Sequence, residues 1–129
     1  MTERNLVSTD APWAATAGYS RAVRVGAHIA VAGTAPVGED GSIVHPGDAY
    51  RQAHRCLAII RRALAEAGSG VGDVVRTRMF VAAGADWDAV ARAHGEVFGN
   101  VRPATTLVKV AGFVDDAILV EIEADAIVG

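Results

Sequence analysis

Apolar and polar residues alternate in the last part of the chain, over Thr105 to Ala111 and again over Ile118 to Ile127, with a Gly112-to-Asp116 turn region between. In the second of these stretches Ile118, Val120, Ile122, Ala124 and Ala126 point one way, and Leu119, Glu121, Glu123 and Asp125 the other. One side can feed a core. The other sets acids beside an apolar residue and needs water, cations or a partner subunit. Earlier, Ser20 to Val25 and His28 to Gly33 read as two short strands around Gly26-Ala27, a turn with glycine at its first central position. Val74 to Ala82 reads as a further strand, in which Val75, Thr77, Met79 and Val81 alternate with Val74, Arg76, Arg78 and Phe80.

Two stretches have helical period. After Asp48, a candidate N-cap, Ala53, Leu57, Ile60, Leu64 and Ala67 recur at spacings of three and four, and Gly68 closes the run. After Asp86, the residues Trp87, Val90, Ala91, His94, Val97 and Phe98 form one stripe that Gly99-Asn100 ends ahead of Pro103. Residues 1–18 lack periodicity and read as an extended, loosely held lead-in. Residues 33–47 read as a Gly- and Pro-rich loop with a brief strand at Ile43-Val44. Two amphipathic helices can cover one face of a mixed sheet of four to six strands but not both. The uncovered face would carry Arg76, Arg78, Phe80, Leu119, Glu121 and Glu123, and burying it against other copies predicts a homo-oligomer with ligand sites at its seams.

Composition narrows the class. A chain of 129 residues is one domain with one core, and its hydrophobic content of 51% comes with only 5% aromatics, so packing against further copies would supplement small apolar side chains. Net charge is −3, with Lys and Arg dispersed, which disfavours nucleic acid as a partner. One cysteine, Cys56, allows no intrachain disulfide, and no apolar stretch reaches the ~20 residues of a membrane span. The polar N-terminus is unlike a signal peptide, and a cytoplasmic location is expected.

The blocks YSRAVRVGAHIAVAGTAPV, DVVRTRMFV and RPATTLVKVAGFVDDAILVEIEADA resemble the Rid family, also called YjgF-like and labelled L-PSP endoribonuclease, over essentially the whole chain. Pro103-Ala104 and Val120-Glu121-Ile122-Glu123-Ala124 carry the most specific part of the likeness. The resemblance implies an α+β, chorismate-mutase-like single domain over 1–129 that assembles as a homotrimer around an inner barrel, with three clefts between subunits. Archetypal members hydrolyse enamines and imines derived from amino acids, gripping the substrate carboxylate with an arginine directly after Pro-Ala. That position is Thr105 in this chain, so the resemblance implies a member without the usual clamp, for which 2-imino-acid deamination is not expected. Glu121 falls where the family positions the attacking water, Tyr19 where it has a cleft tyrosine, and Gly33 and Thr34 in the loop lining the cleft.

Each candidate has a bland alternative. Glu121 could orient water at a seam, or pair across strands with Arg76 or Arg78, as Glu123 is expected to do. Arg102 could replace the clamp, or be an exposed loop arginine in the extended geometry that precedes proline. Arg21, Arg24 and Lys109 lie on strands, and parity does not say which faces a seam. Thr105 and Thr106 could bond a ligand or serve as ordinary strand residues. The histidines His28, His45, His54 and His94 lack metal-ligand spacing, and Cys56 sits on a buried helix face, so no metal and no organic cofactor is expected. Three functional classes follow: a hydrolase acting on a C=N, amide or carbamate bond of a small molecule, a non-catalytic trimeric ligand binder or enzyme partner, and, least favoured by charge, a ribonuclease.

Overall fold

The computed structural model describes residues 3–129. The elements run β1 (Arg4–Val7), α1 (Ala14–Ala17), β2 (Ala22–Val25), β3 (His28–Thr34), α2 (Ala49–Glu66), β4 (Val74–Ala82), α3 (Trp87–Phe98), β5 (Ala104–Val110) and β6 (Val120–Ile127). They form one six-stranded sheet in the order β1-β2-β3-β6-β4-β5. Only β4 and β5 are parallel, and α3 makes their crossover; the other pairs are antiparallel. The architecture is the α+β one expected, a mixed sheet with two amphipathic helices on one face.

Local chemistry sets these elements. The Asp48 carboxylate accepts the Arg51 N–H at 3.0 Å, and Asp86 accepts that of Ala89 at 3.1 Å, so both expected caps form. At the far end of α2, Gly68 has φ +84°, and Arg24 donates from Nη1 to the Ala67 carbonyl at 2.7 Å, satisfying a free helix-end carbonyl. Gly26 at φ +61° makes the two-residue turn between β2 and β3. Leu57, Ile60 and Leu64 of α2 are buried against Val31, Val120 and Ile122 in the same core cluster, each stabilising the fold by roughly 1.5–3 kcal/mol.

The structure departs from the sequence pattern in four places. The lead-in is not loose throughout: Arg4–Val7 pairs with β2 as an edge strand, and Ala14–Ala17 forms a helical turn, while residues 1–2 lie outside the described residues. Only Val7 of that strand is buried, so no alternation marked it. In β4 a register shift between Val74 and Arg76 reverses the phase, leaving Val74 buried and Val75 43% exposed. In α3 the buried set is Ala89, Val90, Ala93, His94 and Phe98, and Trp87 is 48% exposed at the first turn. Arg102 is not extended. Its φ is +56°, because its N–H closes the end of α3 on the Phe98 carbonyl at 2.8 Å.

Candidate functional site

The acidic row of β6 divides into two kinds of carboxylate. Glu123 lies across from Arg78 and accepts from its Nη1 at 3.0 Å, with Asp125 3.6 Å from the same nitrogen. Glu123 is thus the structural residue expected. Glu121, two residues earlier on the same face, lies across from Phe80 and has no ion-pair or hydrogen-bond partner among the described residues. It is half-buried. Burial pushes its carboxyl above the usual carboxylate range, with Arg21 acting in the opposite sense.

Gly33 makes room for this carboxylate. A Cβ there would lie 3.3 Å from Glu121 Oε1, at the irregularity between Val31 and Thr34 in the pairing of β3 with β6. Thr34 is fully buried. Its hydroxyl donates to the Ala32 carbonyl at 2.8 Å and accepts from Arg21 Nη1 at 2.9 Å, and the same nitrogen is 3.4 Å from the Gly33 carbonyl. Thr34 therefore positions Arg21 rather than presenting a free hydroxyl. Tyr19 follows the left-handed Gly18, is 37% exposed, and is close enough to Arg21 to influence its charge. Tyr19, Gly33, Thr34 and Glu121 thus meet around Arg21, a residue that the pattern alone did not single out.

Thr105 belongs to a different place. Parallel pairing sets it beside Thr77, on the helix-covered side of the sheet. Its hydroxyl donates to the Pro103 carbonyl at 3.1 Å and lies 2.9 Å from Thr77 Oγ1, which lies 2.8 Å from His94 Nε2. With the Thr105 proton committed to Pro103, the chain runs one way: His94 Nε2–H to Thr77, Thr77 to Thr105, Thr105 to the carbonyl. Burial lowers the His94 pKa, in keeping with a neutral ring. Thr105, His94 and Trp87 line a 610 Å³ cleft with Arg102 and Pro103 at its edge. Thr106 alternates to the opposite face, level with Arg78. From the strand spacing and register, Thr105 and Glu121 are roughly 14 Å apart on opposite faces of one chain.

Other chemistry is quiet. Cys56 is fully buried, and burial pushes its thiol far above the usual range. Among the described residues no group of three or more His, Cys, Asp and Glu side chains could hold a metal ion. Nor is any helix long and apolar enough to cross a membrane. Gln52, which sequence reasoning passed over, is fully buried in α2. Its amide donates to the Val44 and Ala117 carbonyls at 3.1 and 3.0 Å, and its carbonyl accepts the Leu119 N–H at 2.9 Å. It ties the loops before α2 and before β6, so it helps fix where Glu121 begins. A polar residue inside an apolar helix stripe was the available signal.

Comparison with known proteins identifies the scaffold. The family model described as Endoribonuclease L-PSP matches residues 8–128. The chain belongs to this family, the Rid or YjgF-like proteins. An uncharacterised Streptomyces coelicolor protein is 42% identical over 120 residues, 93% of this chain and 89% of the relative. The 3-aminoacrylate deaminase RutC of Acinetobacter baylyi is 34% identical over 104 residues, 81% of this chain and 82% of the relative. The crystal structure of Rv2704 from Mycobacterium tuberculosis, described as a member of the YjgF/YER057c/UK114 family, superposes with a TM-score of 0.87 at 40% identity, covering 98% of this chain and all of that one. The Rid family likeness confirms the chorismate-mutase-like fold expected from the sequence blocks.

Proposed function

We propose that this Rid-family chain is a deaminase-type hydrolase of small molecules, acting on a C=N bond, with Glu121 as the reacting carboxylate. The observation that carries the reading is Glu121 itself, half-buried, unpaired and raised in pKa beside a glycine that leaves room for it, while Glu123 next to it is neutralised by Arg78. In its ionised form a carboxylate of raised pKa is a stronger base and can take a proton from water as the water adds to the carbon. The same group can then return that proton to nitrogen. The balance is imine plus water to carbonyl compound plus ammonia. The RutC relative, named as a 3-aminoacrylate deaminase, supports this class at 34% identity.

The working unit in this reading is a cytoplasmic homotrimer with clefts between subunits. The open sheet face, carrying Phe80, Leu119 and Glu121, and the unpaired outer edge of β5, with Thr105 and Thr106, are both available to neighbouring copies. Glu121 and Thr105 lie on opposite faces of one chain, so a cleft using both takes them from different copies. The Thr105 hydroxyl, committed within its own chain, supplies no clamp for a carboxylate. The net charge of −3 is adverse to a polyanion, which places ribonuclease action last.

The test is ammonia release from 3-aminoacrylate and from 2-imino acid formed in place by an amino-acid oxidase. Acceleration of either over buffer is expected. No acceleration, with saturable thermal stabilisation by the corresponding carbonyl product, would transfer the protein to the non-catalytic binders.

A further inference from the structure

Several cations of this chain are held by partners within it, and Arg4, Arg51, Arg61, Arg76, Arg102 and Lys109 are exposed to solvent. Arg24 caps α2, Arg55 donates to the Val37 carbonyl at 2.6 Å, Arg78 holds Glu123, and Arg92 lies 4.6 Å over the Tyr50 ring. Arg21 is different. It is half-buried, yet it forms no ion pair among the described residues, and its protein contacts all use Nη1. Thr34 fixes that contact, because its own proton is spent on the Ala32 carbonyl and its lone pair is left for the guanidinium. The Nε–H and Nη2 donors, the edge that matches both oxygens of a carboxylate, meet no acceptor among the described residues. Among the described residues no buried side-chain nitrogen or oxygen lacks a partner, so these donors open to the exterior.

A guanidinium held in place, part-desolvated and without a counter-charge is costly unless an anion completes it. Glu121 shares the corner but does not pair with Arg21, and burial still dominates its ionisation. We infer that Arg21 is the anion anchor of this corner, taking one carboxylate group of a small-molecule ligand through its Nε–Nη2 edge and setting the rest of the ligand against Glu121. The role of Glu121 as the reacting group rests on the function proposed above; the anchor itself does not. The loss of a clamp at Thr105 then leaves carboxylated substrates within reach, gripped from the other side of the cleft.

The experiment is calorimetric titration of the intact protein with pyruvate, 2-oxobutyrate and benzoate, each against its neutral amide at constant ionic strength. At least one carboxylate is expected to bind in preference to its amide. Arg21→Gln should weaken it by about 30-fold, the value of a charged two-point hydrogen bond, and Arg21→Lys, which keeps the charge but not the fork, by about tenfold. Should Arg21→Gln not fold, the Lys variant decides, and unchanged affinity there overturns the inference. So does a wild-type protein that prefers none of the three carboxylates, or a loss that follows Arg102→Gln while Arg21→Gln binds normally. Glu121→Gln separates the two claims. Retained binding with lost turnover supports both, and retained binding with full turnover leaves the anchor standing and removes the proposed reaction. Lower turnover in Arg21→Gln with unchanged carboxylate affinity would mean that Arg21 serves Glu121 alone, which overturns the anchor.

Discussion

The corner around Arg21 and Glu121 and the corner around Thr105 use similar materials to opposite ends. At Thr105 the hydroxyl donors are spent: His94, Thr77, Thr105 and the Pro103 carbonyl form one continuous chain of hydrogen bonds. At Glu121 the matching stops short, with a carboxylate that has no partner among the described residues and a guanidinium whose contacts there all use Nη1. A closed polar chain rigidifies and specifies packing. An open one stores binding capacity at the expense of stability. Position in a family motif and chemical availability are therefore separate properties. Thr105 holds the motif position and Arg21 holds the available donors.

Substitutions can sharpen this contrast. The largest stability effect is expected at Thr77→Val, which strands the His94 N–H in a buried site and should cost about 2 kcal/mol in chemical denaturation without reducing turnover per folded molecule. Gly33→Ala should do the reverse. The added methyl presses on the Glu121 carboxylate at 3.3 Å, so turnover should fall about tenfold while the melting temperature stays close to wild type.

The pH dependence of stability carries a smaller signature of the same split. His94 has a lowered pKa when folded, so its contribution is present above the unfolded value near 6.5 and is lost as pH falls through the folded value. Glu121 has a raised one, so its contribution is full below about 4.5 and is lost as pH rises through the folded value. Glu121→Gln should therefore melt slightly higher than wild type at neutral pH, with the difference closing in acid, whereas Glu123→Gln should melt slightly lower at neutral pH by loss of the Arg78 pair. Thermal melts from pH 4 to pH 8 check both signs.

Periodicity made the frame legible. Strand alternation, helical spacing and the capping residues Asp48 and Asp86 located the two long helices and five of the strands, and the uncovered sheet face followed from counting helices. The bulge at Val74 was invisible because a register shift is decided by the partner strand, and β1 was invisible because an edge strand with one buried residue has no pattern to show. At the site, Glu121 and Gly33 were legible through the motif they stand in. The polar chain at Thr105 depends on the parallel register of β4 and β5, which no local pattern encodes. Arg21 was named from the sequence only as one of several strand cations. Its distinction lies in which nitrogen Thr34 occupies, a fact of side-chain geometry.

The proposed function turns on the difference in kind between the two glutamates of β6, two residues apart on one face. It is tested most directly by measuring ammonia release from 3-aminoacrylate by Glu121→Gln and Glu123→Gln side by side, with each variant's assembly state confirmed equal to wild type. The expected result is a loss of about 100-fold or more for Glu121→Gln and near-normal turnover for Glu123→Gln. Equal effects of the two substitutions, or full activity in Glu121→Gln, would show that Glu121 is not the reacting carboxylate.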